Sequence, residues 1–383
     1  MTLSDLTTQC IRCGFCLESC PTFVETGEET QSPRGRIYLV RSAEAGVLDW
    51  VEGVGGALDT CLGCRACETS CPSGVKYGEI FEFAREEVAR RRPKMATNAL
   101  LQVITNPMLL KIQRLYPWRK MPGFVSKILS GQEAEVEIPR PQSQLPSKPE
   151  INTPAVGSVH FLEGCAMEVL FPAVNEATRR LLRRVGYETL PNSAGCCGAL
   201  HAHNGQLSTA LQMANELDRD MLGGEPLIVN SAGCGSWIKE ALKHRVSYDA
   251  SEFLLEKGLP AMLAESPKAN IRIAYHDACH LSHGQGIRSQ PRALLEAIPG
   301  VTMVRLAESE HCCGSAGIYN VLQPAMARAL LERKWKHVEA SGADIVAMGN
   351  PGCHAWIAQA AREHQSRIRV MHTMEVLEEF GFP

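Results

Sequence analysis

Eight cysteines fall in two short runs of one design, C-x2-C-x2-C-x3-C-P: Cys10, Cys13, Cys16 and Cys20 before Pro21, then Cys61, Cys64, Cys67 and Cys71 before Pro72. Thiolates at this density form disulfides, hold zinc, or hold iron–sulfur clusters. Zinc sites usually take two ligands from one tight C-x2-C turn and two from a distant segment. Three cysteines at successive x2 spacings instead wrap three corners of one cubane, and the fourth, set off by x3 and a proline, points elsewhere. In two-cluster ferredoxins that fourth cysteine ligates the other cluster. The expected ligand sets are therefore crossed. Cys10, Cys13, Cys16 and Cys71 surround one [4Fe–4S] cluster, and Cys61, Cys64, Cys67 and Cys20 surround the second. Each cluster would then tie the two halves of the segment together, so that losing iron unfolds it. Gly14 and Gly63 lie inside the wrapping turns, where close approach to a cluster or simply a tight loop calls for positive φ.

The other eight cysteines belong to a repeat. "VGSVHFLEGCA" (156–166) resembles "ANIRIAYHDACH" (269–280), "AGCCGAL" (194–200) matches "EHCCGSAG" (310–317), and "EPLIVNSAGCGSW" (225–237) matches "ADIVAMGNPGCHAW" (343–356). Equivalent cysteines are offset by 114 (165 to 279), 116 (196 to 312) and 119 (234 to 353), the trace of a tandem duplication. Cys165, Cys196, Cys197 and Cys234 thus form a set in the first half, and Cys279, Cys312, Cys313 and Cys353 one in the second. Two readings stay open for these sets: ligands of further iron–sulfur clusters, or buried thiols left by duplication. The second half is richer in histidine, with His276, His280 and His283 around Cys279, His311 beside Cys312 and His354 beside Cys353. An imidazole there either replaces a thiolate or hydrogen-bonds to one.

These residues need elements to position them. Ser32 and Pro33 open a helix between the two runs, which predicts an α-helical two-cluster domain over 1–95. Within it Arg34 and Arg36 either tune a cluster, dock a partner, or are merely paired. Residues 96–154 read as a connector. Ala99 to Leu129 mixes apolar residues with Lys111, Arg114, Arg119, Lys120, Lys127 and Trp118, either as an interfacial segment or as short helices packing domain on domain. The proline-rich stretch 138–154 reads as a linker. Residues 155–266 and 267–383 are the repeated halves. Each reads strand, helix, loop, helix, strand, with buried parallel strands at 227–230 and 345–348, helices at 173–186 and 324–342, and cysteines just past strand ends. The fold class expected is α+β multidomain: a helical ferredoxin-like domain, then a duplicated α/β cysteine-rich domain.

Composition narrows the rest. With 45% hydrophobic and 21% charged residues and a net charge of −3, the 383-residue chain reads as an ordinary globular protein with no electrostatic case for nucleic acid. The first ten residues do not read as a signal peptide, and no apolar stretch is long enough to span a bilayer. Sixteen cysteines in a chain so placed in the cytoplasm argue for metal rather than disulfides.

Two C-x2-C-x2-C-x3-C-P runs joined to two CCG-type cysteine-rich halves resemble the iron–sulfur subunits of glycolate oxidase. "PRGRI" (33–37) and "CPSGV" (71–75) fit that likeness, which covers almost the whole chain. Related families are the iron–sulfur subunits of anaerobic glycerol-3-phosphate dehydrogenase, lactate-utilisation systems and heterodisulfide reductase. The resemblance implies a hetero-oligomer in which a separate FAD subunit oxidises glycolate to glyoxylate. This chain then relays electrons toward a quinone or another acceptor; its place is expected to be the cytoplasm, or at most the periphery of the inner membrane at its cytoplasmic face. One departure is visible. The fuller CCG pattern ends each half in C-x2-C and binds a non-cubane cluster through five cysteines, whereas here Trp237 and Trp356 stand at the fifth position.

No G-x-G-x-x-G after a strand, P-loop, H-E-x-x-H or G-x-S-x-G occurs, so the sequence offers neither a flavin site nor a nucleophile, and no catalytic residue is assigned. An electron relay is the first expectation. The rivals are a catalytic subunit reducing a disulfide or quinone at the CCG sites, a relay serving a lactate or glycerol-3-phosphate dehydrogenase, and a zinc-stapled scaffold.

Overall fold

A capping box closes the first helix: the Thr2 hydroxyl accepts from Asp5 N and the Asp5 carboxylate from Thr2 N, at Leu3–Thr8. The computed structural model describes residues 2–106, 108–109, 123–130, 151, 153–191 and 195–382. Up to residue 106 the described residues form helices and turns and no strand. Ser32 caps Pro33–Glu44 as its sequence implies, its hydroxyl accepting from Gly35 N at 2.9 Å, a contact worth about 1 kcal/mol. This helix packs with Leu3–Thr8 and Tyr77–Arg91 around Leu6, Val40, Val54, Ile80 and Ala84. Cys61 and Cys67 belong to that same small core, so whatever they bind sits inside the structural support of the domain.

The repeat folds as two four-stranded parallel sheets of one topology. In the first, β1 (Gly157–Leu162), β2 (Tyr187–Leu190), β3 (Leu227–Val229) and β4 (Ser247–Asp249) lie in the order β2-β1-β3-β4. In the second, β5 (Ile271–Tyr275), β6 (Val301–Val304), β7 (Ile345–Met348) and β8 (Arg369–His372) lie in the order β6-β5-β7-β8. The central strands are apolar and buried throughout β3 and β7, and helices Pro172–Arg184 and Pro324–Ala340 occupy the stretches expected of them. The halves share one core, in which Val159, Phe161 and Leu181 meet Tyr275, Ile345 and Leu377. Buried Glu378 crosses to Arg180 and Arg184, each at 3.5 Å.

The connector splits between the two expectations. Helix Met95–Thr105 packs on the first half, where Thr105 Oγ1 meets His201 Nε2 at 3.2 Å and Gln206 reaches Asn98 at 2.5 Å. Lys111, Arg114, Trp118, Arg119, Lys120 and most of the proline-rich stretch lie outside the described residues. Among the described residues no helix is long and apolar enough to cross a membrane.

One buried histidine gives this fold an acid limit. His372 Nδ1 accepts from Met374 N at 3.2 Å, capping Thr373–Gly381, and its Nε2 lies 2.9 Å from the Asn230 carbonyl in the other half. It must be neutral to accept, and burial lowers its pKa to about 3. The folded value lies below the unfolded one, so the stability it contributes is present above about pH 6.5 and is lost as pH falls toward 3. Replacing His372 with Asn, which caps without titrating, is expected to flatten the decline of the urea midpoint between pH 6.5 and pH 4. An unchanged slope would assign the acid sensitivity elsewhere.

Candidate metal centres

The two N-terminal runs adopt the same backbone path. Arg12 and Gly14 take φ of 58° and 90°, and Gly63 and Arg65, at the equivalent positions, take 62° and 64°. Each run therefore turns left-handed twice, with glycine at one turn and arginine at the other, and curls its three cysteines around a common centre. Only the glycines announce this in the sequence; an arginine there is strained.

Cys10, Cys13, Cys16 and Cys71 line one cavity, together with Pro33, Arg34 and Ile37. Cys20, Cys61, Cys64 and Cys67 line its neighbour, with Arg36 and Thr22. Pro33, Cys67 and Tyr77 border both. Exposure divides the same way. Cys13 is exposed and Cys10, Cys16 and Cys71 half-buried, whereas Cys20, Cys61, Cys64 and Cys67 are all buried. Grouping each run with its own fourth cysteine would mix the two environments. Burial pushes the Cys16 thiol up to about 11 and raises Cys64 and Cys67 well above the usual range, so ligation here is coupled to proton release. Two foursomes of free thiols around adjoining cavities fit two [4Fe–4S] clusters in donor type and number.

The two arginines differ. Arg34 pairs with Glu29 at 2.7 Å and donates to the Arg12 carbonyl at 3.2 Å. Arg36 is 2% exposed and makes no ion pair among the described residues. It donates to the Ala57 carbonyl at 2.7 Å, Thr22 at 3.0 Å and Thr60 at 3.1 Å, and its Nη1 stands 3.8 Å from Cys20 Sγ. Burial acts against its charge, but Cys61, Tyr77 and Cys20 more than offset this and raise its pKa. A buried cation without a carboxylate is costly unless an anion lies beside it.

The CCG cysteines gather at the ends of β1, β3, β5 and β7. Cys165 begins a helix after β1, and Cys234 and Cys353 lie in helices Ala232–Ala241 and Pro351–Glu363 after β3 and β7. The glycine after each Cys–Cys pair is fixed sterically. Gly198 and Gly314 both have φ of 89°, and a Cβ would stand 2.7 Å from the Ala210 carbonyl or 2.6 Å from that of Ala327. In the first half Cys165 Sγ lies 3.5 Å from Cys196 Sγ, and Trp237 donates its indole N–H to the Cys197 carbonyl at 2.8 Å. Hydrogen bonds from Cys165 and Cys197 lower the Cys196 pKa. In the second half Cys279, Cys312, Cys313 and Cys353 lie in sequence, each thiol acting on the next, with the neighbouring thiols and burial together raising Cys279, Cys312 and Cys313 well above the usual range.

The second set shares a core with the N-terminal domain, while the first half meets that domain through the Arg65–Glu240 and Glu82–His203 pairs. Leu62, Cys64 and Ala66 share a core with Ala278, Cys312, Cys313 and Cys353. Thr69 Oγ1 meets His283 Nδ1 at 2.8 Å, Tyr319 donates to the Thr60 carbonyl at 2.9 Å, and Arg333 pairs with Glu25 at 3.0 Å. Most of the histidines have partners: His283 Nε2 at the Glu310 carbonyl (3.3 Å), His311 at Glu308 (3.2 Å), His354 at the Val370 carbonyl (3.1 Å), and His280 stacked on His203.

Comparison with known proteins places these features together. Residues 7–75 match the model of the 4Fe-4S dicluster domain, and residues 159–239 and 273–358 each match the cysteine-rich CCG domain. The chain is similar to the probable glycolate oxidase iron-sulfur subunit of Bacillus subtilis, 32% identical across 96% of this chain and 92% of that one. It is 32% identical to the glycolate oxidase iron-sulfur subunit of Escherichia coli, covering 97% and 93%. Further away, it is 24% identical to a dihydromethanophenazine:CoB–CoM heterodisulfide reductase subunit of Methanosarcina barkeri, covering 97% and 93%.

Proposed function

Because the chain belongs to the family of glycolate oxidase iron–sulfur subunits, we propose that it is the relay of a 2-hydroxy-acid oxidase, taking electrons from a separate FAD subunit that oxidises glycolate to glyoxylate and passing them toward a quinone. A quinone acceptor would make its membrane contact peripheral, at the cytoplasmic face. The observation that carries the reading is the sorting of eight thiols into an outer and an inner foursome sharing one wall. When bound there, two [4Fe–4S] clusters supply one-electron carriers. Cys10, Cys13, Cys16 and Cys71 would hold the outer cluster, and Cys20, Cys61, Cys64 and Cys67 the inner. Cys165, Cys196, Cys197, Cys234, Cys279, Cys312, Cys313 and Cys353 are candidate ligands for further centres.

The chain's own residues give this path a direction. Ile11 is 68% and Phe15 71% exposed beside the outer foursome, an apolar rim on which a donor subunit can seat. The inner foursome is shut off from water and abuts the second CCG half. Electrons therefore enter at the outer site and leave through the repeat.

The test is reduction by substrate in the complex with the flavoprotein. Glycolate is expected to bleach the cluster absorbance, and the Ile11→Ser, Phe15→Ser double variant to slow bleaching about tenfold at unchanged iron content. Bleaching by lactate or glycerol 3-phosphate in place of glycolate would reassign the substrate. An unslowed double variant would move the entry point, and a complex that no such substrate bleaches would refute the relay.

A further inference from the structure

The two CCG halves share a topology, yet one position separates them chemically. His276 follows β5, three residues before Cys279; the residue 114 positions earlier, three before Cys165, is Leu162. Leu162 is an ordinary buried core residue. His276 has no exposed surface, and neither ring nitrogen makes a hydrogen bond of acceptable geometry. Its surroundings do not compensate the polar atoms. Burial, helped by the charge of Lys334, lowers its pKa to about 3, while Asp277 and the Ser309 carbonyl act weakly the other way. Two unsatisfied polar atoms at a fully buried position are destabilising, where a leucine would not be.

What lies against the imidazole accounts for that cost. Ligand atoms of His276, Cys313 and Cys353 all stand within 4.8 Å of one another, and all three residues are buried. Ligands around one tetrahedral ion are about 3.5–3.8 Å apart, given metal–sulfur and metal–nitrogen bonds near 2.3 and 2.0 Å, so small side-chain shifts suffice to close the set. Among the described residues no other group of three such side chains is so close. Cys312, next to Cys313 in the chain, acts on it as a further thiol. Two further features suit an anionic thiolate centre. Asn350 Nδ2 lies 3.6 Å from Cys353 Sγ. Lys334, 2% exposed, makes no ion pair among the described residues, donates to the Glu308 carbonyl, and is acted on by Cys313, Cys312 and Cys353.

We propose that the second CCG half holds a thiolate–imidazole metal centre of the class taken by iron or zinc, with His276, Cys313 and Cys353 as ligands, and that the first half does not. Imidazole and thiolate together select iron or zinc over hard cations. His276 takes the part that Trp356, standing where a fifth cysteine would, cannot. The inference rests on the relay reading only in counting the N-terminal irons separately.

The experiment is metal and acid-labile sulfide content of the full chain, purified anaerobically, for the wild type and for His276→Leu, His276→Cys and Cys313→Ser. Leucine already occupies the equivalent place in the first half, so His276→Leu should fold. The wild type is expected to hold iron or zinc beyond the about eight irons of two cubanes. His276→Leu and Cys313→Ser should lose that excess and keep the eight, while His276→Cys, which restores a ligand, retains it. Iron in the excess makes the centre a redox site behind the inner cluster; zinc makes it a staple. No excess metal in the wild type, an excess surviving His276→Leu, or an excess lost equally in His276→Cys would overturn the proposal. Fewer than eight irons in the wild type would instead count against the relay reading.

Discussion

Replacing Cys20 with alanine is expected to remove the cluster whose other ligands lie some forty residues downstream, and Cys71→Ala the cluster held by the first run. Each variant should retain about four of about eight irons, so iron content alone does not tell them apart. Access does. The foursome containing Cys71 includes exposed Cys13, whereas every thiol of the foursome containing Cys20 is buried. In Cys20→Ala the surviving cluster is the outer one, and a chelator with mild oxidant should bleach it at least ten times faster than the survivor in Cys71→Ala. Cys13→Ala, which removes an outer ligand under either pairing, should behave like Cys71→Ala. If Cys71→Ala instead left the fast-bleaching cluster, each run would bind its own cubane and the crossing would be wrong. The effect on folding should be lopsided too. Cys61 and Cys67 are core residues of the helical domain, so losing the inner cluster opens a hole where Val40, Ile80 and Phe81 pack. Losing the outer one leaves that core closed.

What was legible in the sequence was whatever is local or repeats at a fixed offset. Cluster spacing is local: four cysteines within eleven residues at x2, x2 and x3 suit a cubane, and the crossing is expected from Pro21 and Pro72 turning the fourth cysteine away. Ser32–Pro33 is likewise a local instruction, and the helix starts there. The duplication was visible because cysteines at near-constant offsets need no structure to be counted. The edge strands were not legible. β2, β4, β6 and β8 are three or four residues long and partly exposed, Tyr187–Leu190 without one fully buried residue, too short to show alternation. Arg12 and Arg65 were invisible as left-handed turns because arginine gives no hint of positive φ. Which CCG cysteines share a core with the inner foursome was also hidden, since Cys64 and Cys312, 248 positions apart, meet only in the fold. His276 could be named among five histidines but not singled out. Only burial without a partner distinguishes it from His283 or His354.

Arg36 carries the other large expectation, because its charge is buried against the inner foursome and no carboxylate among the described residues pairs with it. A cluster held by Cys20, Cys61, Cys64 and Cys67 is an anion whose charge grows by one on reduction, so a fixed cation beside it favours the reduced state. At an effective dielectric near 20 and a separation of about 5–6 Å, one unit charge is worth about 3 kcal/mol, or on the order of 100 mV for one electron. Arg36→Met is therefore expected to lower the reduction potential of the inner cluster by about that much, read by EPR-monitored redox titration. Arg36→Lys, which keeps the charge but loses the fork to Ala57, Thr22 and Thr60, should fall by a fraction of it. Arg34→Met provides the contrast. Arg34 is partly solvated and paired with Glu29, so solvent and its partner already screen it, and the outer cluster should move by no more than a few tens of millivolts. If Arg36→Met left both potentials in place while the protein still held its iron, the guanidinium would be a structural clamp for the turn carrying Cys61. A lowered inner potential would have a functional consequence as well. An inner cluster pushed below the outer one turns the step between them uphill, so substrate would reduce the outer cluster while delivery to the acceptor slows, and the rate-limiting step would move from the donor interface to the shared wall at Cys67 and Tyr77.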